Sequence, residues 1–238
     1  NQLREQGTRA KLLYFIPNFQ NPTGVTTTLE RRRKIAELAR DHSLPVVEDD
    51  AYFDLRYAGS TLPTVYSLDT AGLVMYLGTF SKILGAGMRL GWLLAPQEMI
   101  PTLQTFNFGG GVAPFTSRVA TYYMRDHMAD HVKVLIDVYR NKRDAMLQGL
   151  NETLEGTDAE ISKPGGGFFI WIKLPTGTDR EKLGQLAREA GVGVVPGTSF
   201  MPNGGGENHI RLAFSYESEE RCHAGARHLG SAIRGAMS

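Results

Sequence analysis

Thr79, Ser81, Lys82 and Arg89 share one glycine-rich stretch, residues 78–92, set between the apolar runs 73–77 and 90–95. Two buried strands joined by such a loop would gather these four side chains around one small space. Two hydroxyls and a guanidinium suit a phosphate, because arginine is always charged and grips two oxygens at once. A lysine crowded by cationic neighbours and partly desolvated loses its proton more readily and becomes a nucleophile for carbonyls. A phosphate cradle with a carbonyl-reactive lysine at its edge is what pyridoxal phosphate requires. A βαβ loop with a solvated lysine satisfies the same spacing, so the rest of the chain must decide.

The elements able to position these residues follow from the apolar pattern. Residues 11–16 read as a buried strand that ends in a turn with two prolines, Pro17 and Pro22. Thr27 and Glu30 form a capping box for a basic amphipathic helix reaching about His42, with Ile35, Leu38 and Ala39 inward. A second strand starts at Pro45 and runs into Glu48-Asp49-Asp50-Ala51-Tyr52; residues 73–77 and 89–95 supply two more. This alternation predicts an α/β layered sheet with its site at the strand ends, incomplete at its front edge. Short helices should surround the Gly109-Gly110-Gly111 break, and Val132, Leu135, Ile136, Tyr139, Met146, Leu147 and Leu150 should line one face of a long helix. Residues 161–174, 193–197 and 209–214 read as strands of a smaller α+β domain, with a helix boxed by Thr178 and Glu181 and a terminal helix carrying Cys222, Leu229 and Ile233. The expected division is a large domain over 1–125 and a long helix with a small C-terminal domain over 126–238.

Composition excludes several classes. Of the 238 residues, 42% are hydrophobic and 21% charged, as in an ordinary globular protein. A net charge of +1 gives no footprint for nucleic acid or an anionic membrane surface. The longest uncharged run, residues 99–117, contains Pro101, Pro114 and three glycines, which rules it out as a membrane span. One cysteine cannot form an internal disulfide, and with no visible signal peptide it fits a reducing, cytoplasmic setting. His127 and His131 are one turn apart but lack partner ligands; the wet face of a helix accounts for them, and no metal is expected.

Four separated motifs then line up: Asn21-Pro22-Thr23-Gly24, Asp49-x-Ala51-Tyr52, Thr79-x-Ser81-Lys82 with Arg89, and Arg211 in a late strand. Each alone is common. Their order and spacing over nearly the whole chain resemble the class I/II pyridoxal-phosphate aminotransferases of the aspartate-aminotransferase fold. The wording of residues 47–52 and 78–82 looks closest to the branch holding 2-aminoadipate and kynurenine-type aminotransferases and the aminotransferase-like domains of some bacterial regulators. The resemblance implies the pyridoxal-phosphate transferase fold, with a partial, mostly parallel large-domain sheet.

It also implies roles. Lys82 would carry the Schiff base to the cofactor and move the substrate's Cα proton. Asp49 would face the pyridine nitrogen and keep it protonated; Glu48 and Asp50, on the other face of the strand, would not serve. Tyr52 and Asn21 would hydrogen-bond the ring's phenolic oxygen, and Thr79, Ser81 and Arg89 would hold the phosphate. Arg211, with Asn21 beside the substrate, would clamp an α-carboxylate. Plain structural readings remain open for Asn21 as a turn residue, Tyr52 as core, Ser81 as a cap and Arg211 on a strand edge.

Family members carry upstream of these motifs an N-terminal arm, the first sheet strands, a further phosphate-binding helix start and an aromatic residue that stacks on the cofactor. This sequence starts at Asn1 after all of them, so full activity is expected of a longer parent protein. The expected partners are an amino acid, a 2-oxo acid and a second copy in a homodimer, with no nucleic acid and no membrane. The expected activity is amino-group transfer. A pyridoxal-phosphate lyase shares every motif, and a ligand-sensing domain of a transcription regulator is the alternative outside enzymes.

Overall fold

A computed structural model describes residues 2–106 and 111–237. Gly109 and Gly110 of the expected break therefore lie outside the described residues. After a short helical turn, Gln2–Glu5, the order is β1 (Leu13–Phe15), α1 (Leu29–His42), β2 (Val46–Asp49), α2 (Val65–Leu68), β3 (Val74–Thr79) and β4 (Gly91–Leu94). Then come α3 (Ile100–Thr105), α4 (Pro114–Leu154), β5 (Glu160–Ile161), β6 (Phe169–Lys173), α5 (Arg180–Glu189), β7 (Val195–Pro196), β8 (His209–Ala213) and α6 (Glu219–Ala236). The chain divides into two compact units.

The first unit comprises Asn1–Asn18, Thr26–Asp54 and Gly59–Val132. Its sheet has the order β1-β2-β3-β4, with β1, β2 and β3 parallel and β4 antiparallel to β3. Ala39, Val46, Val65 and Val74 form a core that Leu13, Phe15 and Ile35 pack against. β4 departs from the expectation of a buried strand: all four of its residues are exposed, and it stands at one end of the strand order. Gly78 sits opposite Trp92 in that pair, and a Cβ there would meet the indole at 2.1 Å, so only glycine lets the ring lie across the strand.

Two details of α1 differ from the sequence reading. Thr28, not Thr27, caps the helix, its side chain accepting from the Arg31 amide. The inward stripe is also rotated: Leu38 is exposed, whereas Arg32 is fully buried. The reason is polar. The Arg32 guanidinium donates to the carbonyls of Thr27, Pro63 and Pro17 and to Asn18 Oδ1, which satisfies a charge that burial would otherwise penalise.

The second unit comprises Phe19–Val25, Leu55–Ala58 and Lys133–Ser238. Its sheet runs β5-β6-β8-β7, every neighbour antiparallel. β6 and β8 alternate, burying Ile170, Ile172, Ile210 and Leu212, and α6 buries Cys222, Leu229 and Ile233. Met146, Leu147 and Leu150 of α4 are buried in this unit as the helical period requires. α5 is capped by Asp179, whose carboxylate accepts from the Glu181 and Lys182 amides; Thr178, the expected cap, instead donates to the Pro175 carbonyl.

Candidate active site

In the first unit the expected cofactor residues sit at the carboxyl end of the parallel strands, the usual ligand edge of an open α/β sheet. Asp49 ends β2, between two buried acids. Strand alternation turns Glu48 and Asp50 into the protein and leaves Asp49 part-exposed. Glu48 accepts from the Val65 and Tyr66 amides, at 2.9 and 2.8 Å, at the start of α2. Burial pushes its carboxyl above the usual range, against the pull of those two amides and of Arg32. Asp50 takes both Asn18 Nδ2 hydrogen bonds, at 2.8 and 2.9 Å. Arg32, Asn18 and Asp50 thus fix the backbone on either side of Asp49, and only Asp49 is left facing outward.

Tyr52 follows in the turn after β2 and is buried. The Lys82 amine lies 5.8 Å from the centre of its ring, within cation–π range. Thr79 ends β3, and its hydroxyl lies 3.0 Å from the Ser81 hydroxyl and 3.1 Å from the Leu90 carbonyl, while it accepts from the Ser81 amide. Two hydroxyls and one amide therefore cluster beside Lys82. Arg89 is exposed in the left-handed region, φ 51°, and its guanidinium reaches the Ala86 carbonyl at 3.4 Å. Among the described residues it makes no hydrogen bond to Thr79 or Ser81, so the expected phosphate set is only partly assembled.

The second unit holds the other two candidates together. Arg211 Nη1 donates to Asn21 Oδ1 at 2.8 Å. Its guanidinium lies 4.3 Å from the centre of the Phe169 ring and 4.8 Å from that of Phe200. Two aromatic faces and an amide hold the fork in one orientation, as recognition of a planar carboxylate demands. Asn21 is itself fixed by its turn. Gln20 Oε1 accepts from Thr23 and Gly24 adopts φ 72°, packed so closely on Pro164 that a Cβ would approach within 2.8 Å.

Two neighbours of these residues escaped the sequence reading. Tyr14 donates to Asp49 Oδ2 at 2.6 Å; a lone aromatic in a short strand reads as core, and only the strand register reveals the contact. His131, expected on a wet helix face, instead places Nε2 2.6 Å from the carbonyl of Ile83, next to Lys82, with Tyr123 at its other ring nitrogen. The helical period predicts a face but not what is packed on it. Among the described residues no metal-holding cluster exists and no helix is long and apolar enough to cross a membrane.

The family described as aminotransferase class I and II matches residues 1–229. Aromatic-amino-acid aminotransferase 1 of Thermococcus litoralis is 36% identical over 239 residues, covering 99% of this chain and 57% of that protein. The crystal structure of Pyrococcus horikoshii kynurenine aminotransferase, in complex with PMP, superposes with a TM-score of 0.93 at 36% identity, covering all of this chain and 59% of that one. The uncharacterized HTH-type transcriptional regulator YisV of Bacillus subtilis is 32% identical over 213 residues, 87% of this chain and 43% of that protein. The chain spans less than two thirds of the length of each. With the motifs placed at the strand ends and this breadth of similarity, the chain belongs to the class I and II aminotransferase family.

Proposed function

We propose that the protein carrying this chain is a pyridoxal-phosphate-dependent aminotransferase that moves an amino group between an α-amino acid and a 2-oxo acid. The observation that carries the reading is the Lys82 amine held over the Tyr52 ring at the strand edge that also presents Asp49. The donor set fits the cofactor: a part-exposed carboxylate for a pyridine nitrogen, an amine for an aldehyde, and clustered hydroxyls, with an exposed arginine on the same loop, for a phosphate. Pyridoxal phosphate supplies an electron sink for charge developing at the substrate's Cα.

The residues supply the rest. Asp49 holds a proton on the ring nitrogen, because a carboxylate beside it favours the charged form. Tyr52 would donate to the phenolic oxygen. Thr79, Ser81 and Arg89 would hold the phosphate. Lys82 would supply the amine that meets the cofactor's aldehyde and, when free, would hold and move a proton at Nζ. Arg211, steadied by Asn21, Phe169 and Phe200, would clamp the α-carboxylate. We read the first unit as cofactor-binding and the second as carboxylate-binding, in a cytoplasmic homodimer.

Borohydride reduction after addition of pyridoxal phosphate should fix the cofactor's mass on Lys82, and glutamate should shift the visible absorbance until an oxo acid restores it. No adduct on Lys82 sinks the reading. The match to a regulator favours a second one, a ligand-sensing domain that keeps the adduct but not the turnover. An adduct at Lys82 without an oxo-acid-reversible shift, together with specific DNA binding by the parent protein, would select it.

A further inference from the structure

We propose that Tyr14 is a positioning residue for Asp49: it holds one carboxylate oxygen and leaves the other to meet the ring nitrogen of the cofactor. The proposal rests on the cofactor reading above. β1 and β2 pair in parallel with Tyr14 opposite Val47, so Tyr14 and Asp49 stand on one face of neighbouring strands, two residues apart in register. Leu13 and Phe15, the residues flanking Tyr14, turn the other way and pack on the core. Tyr14 is 54% exposed, so ring burial does little to fix where its hydroxyl goes; the Asp49 contact does.

The contact is short, 2.6 Å from Oη to Oδ2, in the range of a hydroxyl donating to an ionised carboxylate. Partial burial and the Asp49 charge both push the Tyr14 phenol well above its ordinary range, so it stays a donor. Two consequences follow for Asp49. With Oδ2 engaged, the carboxylate plane is set and Oδ1 is the oxygen free to accept from a pyridinium N–H. Oδ1 held in that plane would keep its hydrogen bond to the ring N–H directed at the nitrogen. Glu48 and Asp50 cannot take this part, since one is bound to α2 amides and the other to Asn18.

The test compares Tyr14→Phe with the parent holoenzyme, reading the ¹⁵N shift of ring-labelled pyridoxal phosphate and its dissociation constant. Loss of a hydrogen bond to a charged group should weaken cofactor binding roughly tenfold and move the ¹⁵N signal toward the unprotonated position. KM for the amino acid should stay within about twofold while kcat falls. In an Asp49→Ala background the same Tyr14 substitution should change neither readout. An unchanged shift and affinity overturn the proposal, as does an equal loss in the Asp49→Ala background or a Tyr14→Phe protein that fails to fold, since each makes the role merely structural. If the parent forms no borohydride-fixed adduct on Lys82, the cofactor reading fails and takes this one with it; an adduct with a silent Tyr14→Phe removes Tyr14 alone.

Discussion

β4 of the first unit and β6 of the second are both apolar, yet they sit in opposite circumstances. Trp92, Leu93 and Leu94 of β4 are exposed, Leu94 to 45%, whereas Ile170 and Ile172 of β6 are fully buried. The difference is position in the sheet. β6 pairs with β5 and β8, while among the described residues β4 pairs with β3 alone. Apolar strand sequence therefore does not by itself report burial. The candidate site residues also differ between the units. The second unit holds Arg211 against three partners, while the first leaves Asp49 part-exposed and Arg89 exposed.

The comparison can be broken most severely at Lys82. Lys82→Ala should cut amino transfer by on the order of 10³-fold or more while leaving the urea midpoint unchanged; an equal loss of stability would make the lysine a packing residue of the first unit. Burial comes next. Ile172→Ala should cost about 2–5 kcal/mol of stability, and Leu93→Ala no more than about 0.5 kcal/mol; similar urea shifts for the two would show β4 covered in solution. Arg211→Lys keeps the charge but loses the fork. It should raise KM for the amino acid by roughly tenfold or more, with kcat less affected, as expected for a charged hydrogen bond of about 1.5–3 kcal/mol.

The smallest effect is a slope. Burial makes Glu48 keep its proton to higher pH in the folded chain than in the unfolded one. Its contribution is therefore complete below the ordinary carboxylate pKa, about 4.3, and is lost as pH rises through the raised folded value. The urea midpoint of the parent should fall across that window relative to Glu48→Gln, and parallel profiles would contradict it.

The residues proposed to carry the chemistry could be named from sequence because each stands in a motif whose spacing follows the backbone: alternation separates part-exposed Asp49 from buried Glu48 and Asp50, and Lys82 follows β3 in the strand–loop–strand rhythm. The contacts that steady them were not. Tyr14 meets Asp49 across a strand pair, and His131 meets Ile83 across 48 residues of chain, neither of which leaves a local pattern. The two helix caps were each misplaced by one residue, since Thr27-Thr28 and Thr178-Asp179 offer adjacent capping side chains and the choice depends on the entry angle of the chain. Arg32 sits in a basic run that reads as solvated, and only the carbonyls gathered around it explain why it goes inside.

Those carbonyls have a consequence for how the molecule assembles. Arg32 bonds to Pro17, 15 residues before it, and to Pro63, 31 residues after it, and Asn18 reaches a further 32 residues to Asp50. Each bond closes a loop whose entropy must be lost before the contact forms. The carboxylate end of β2 acquires its geometry only when these distant segments have met, so in refolding the competence to bind at Asp49 should arrive with the last cooperative step rather than with early helix or strand formation.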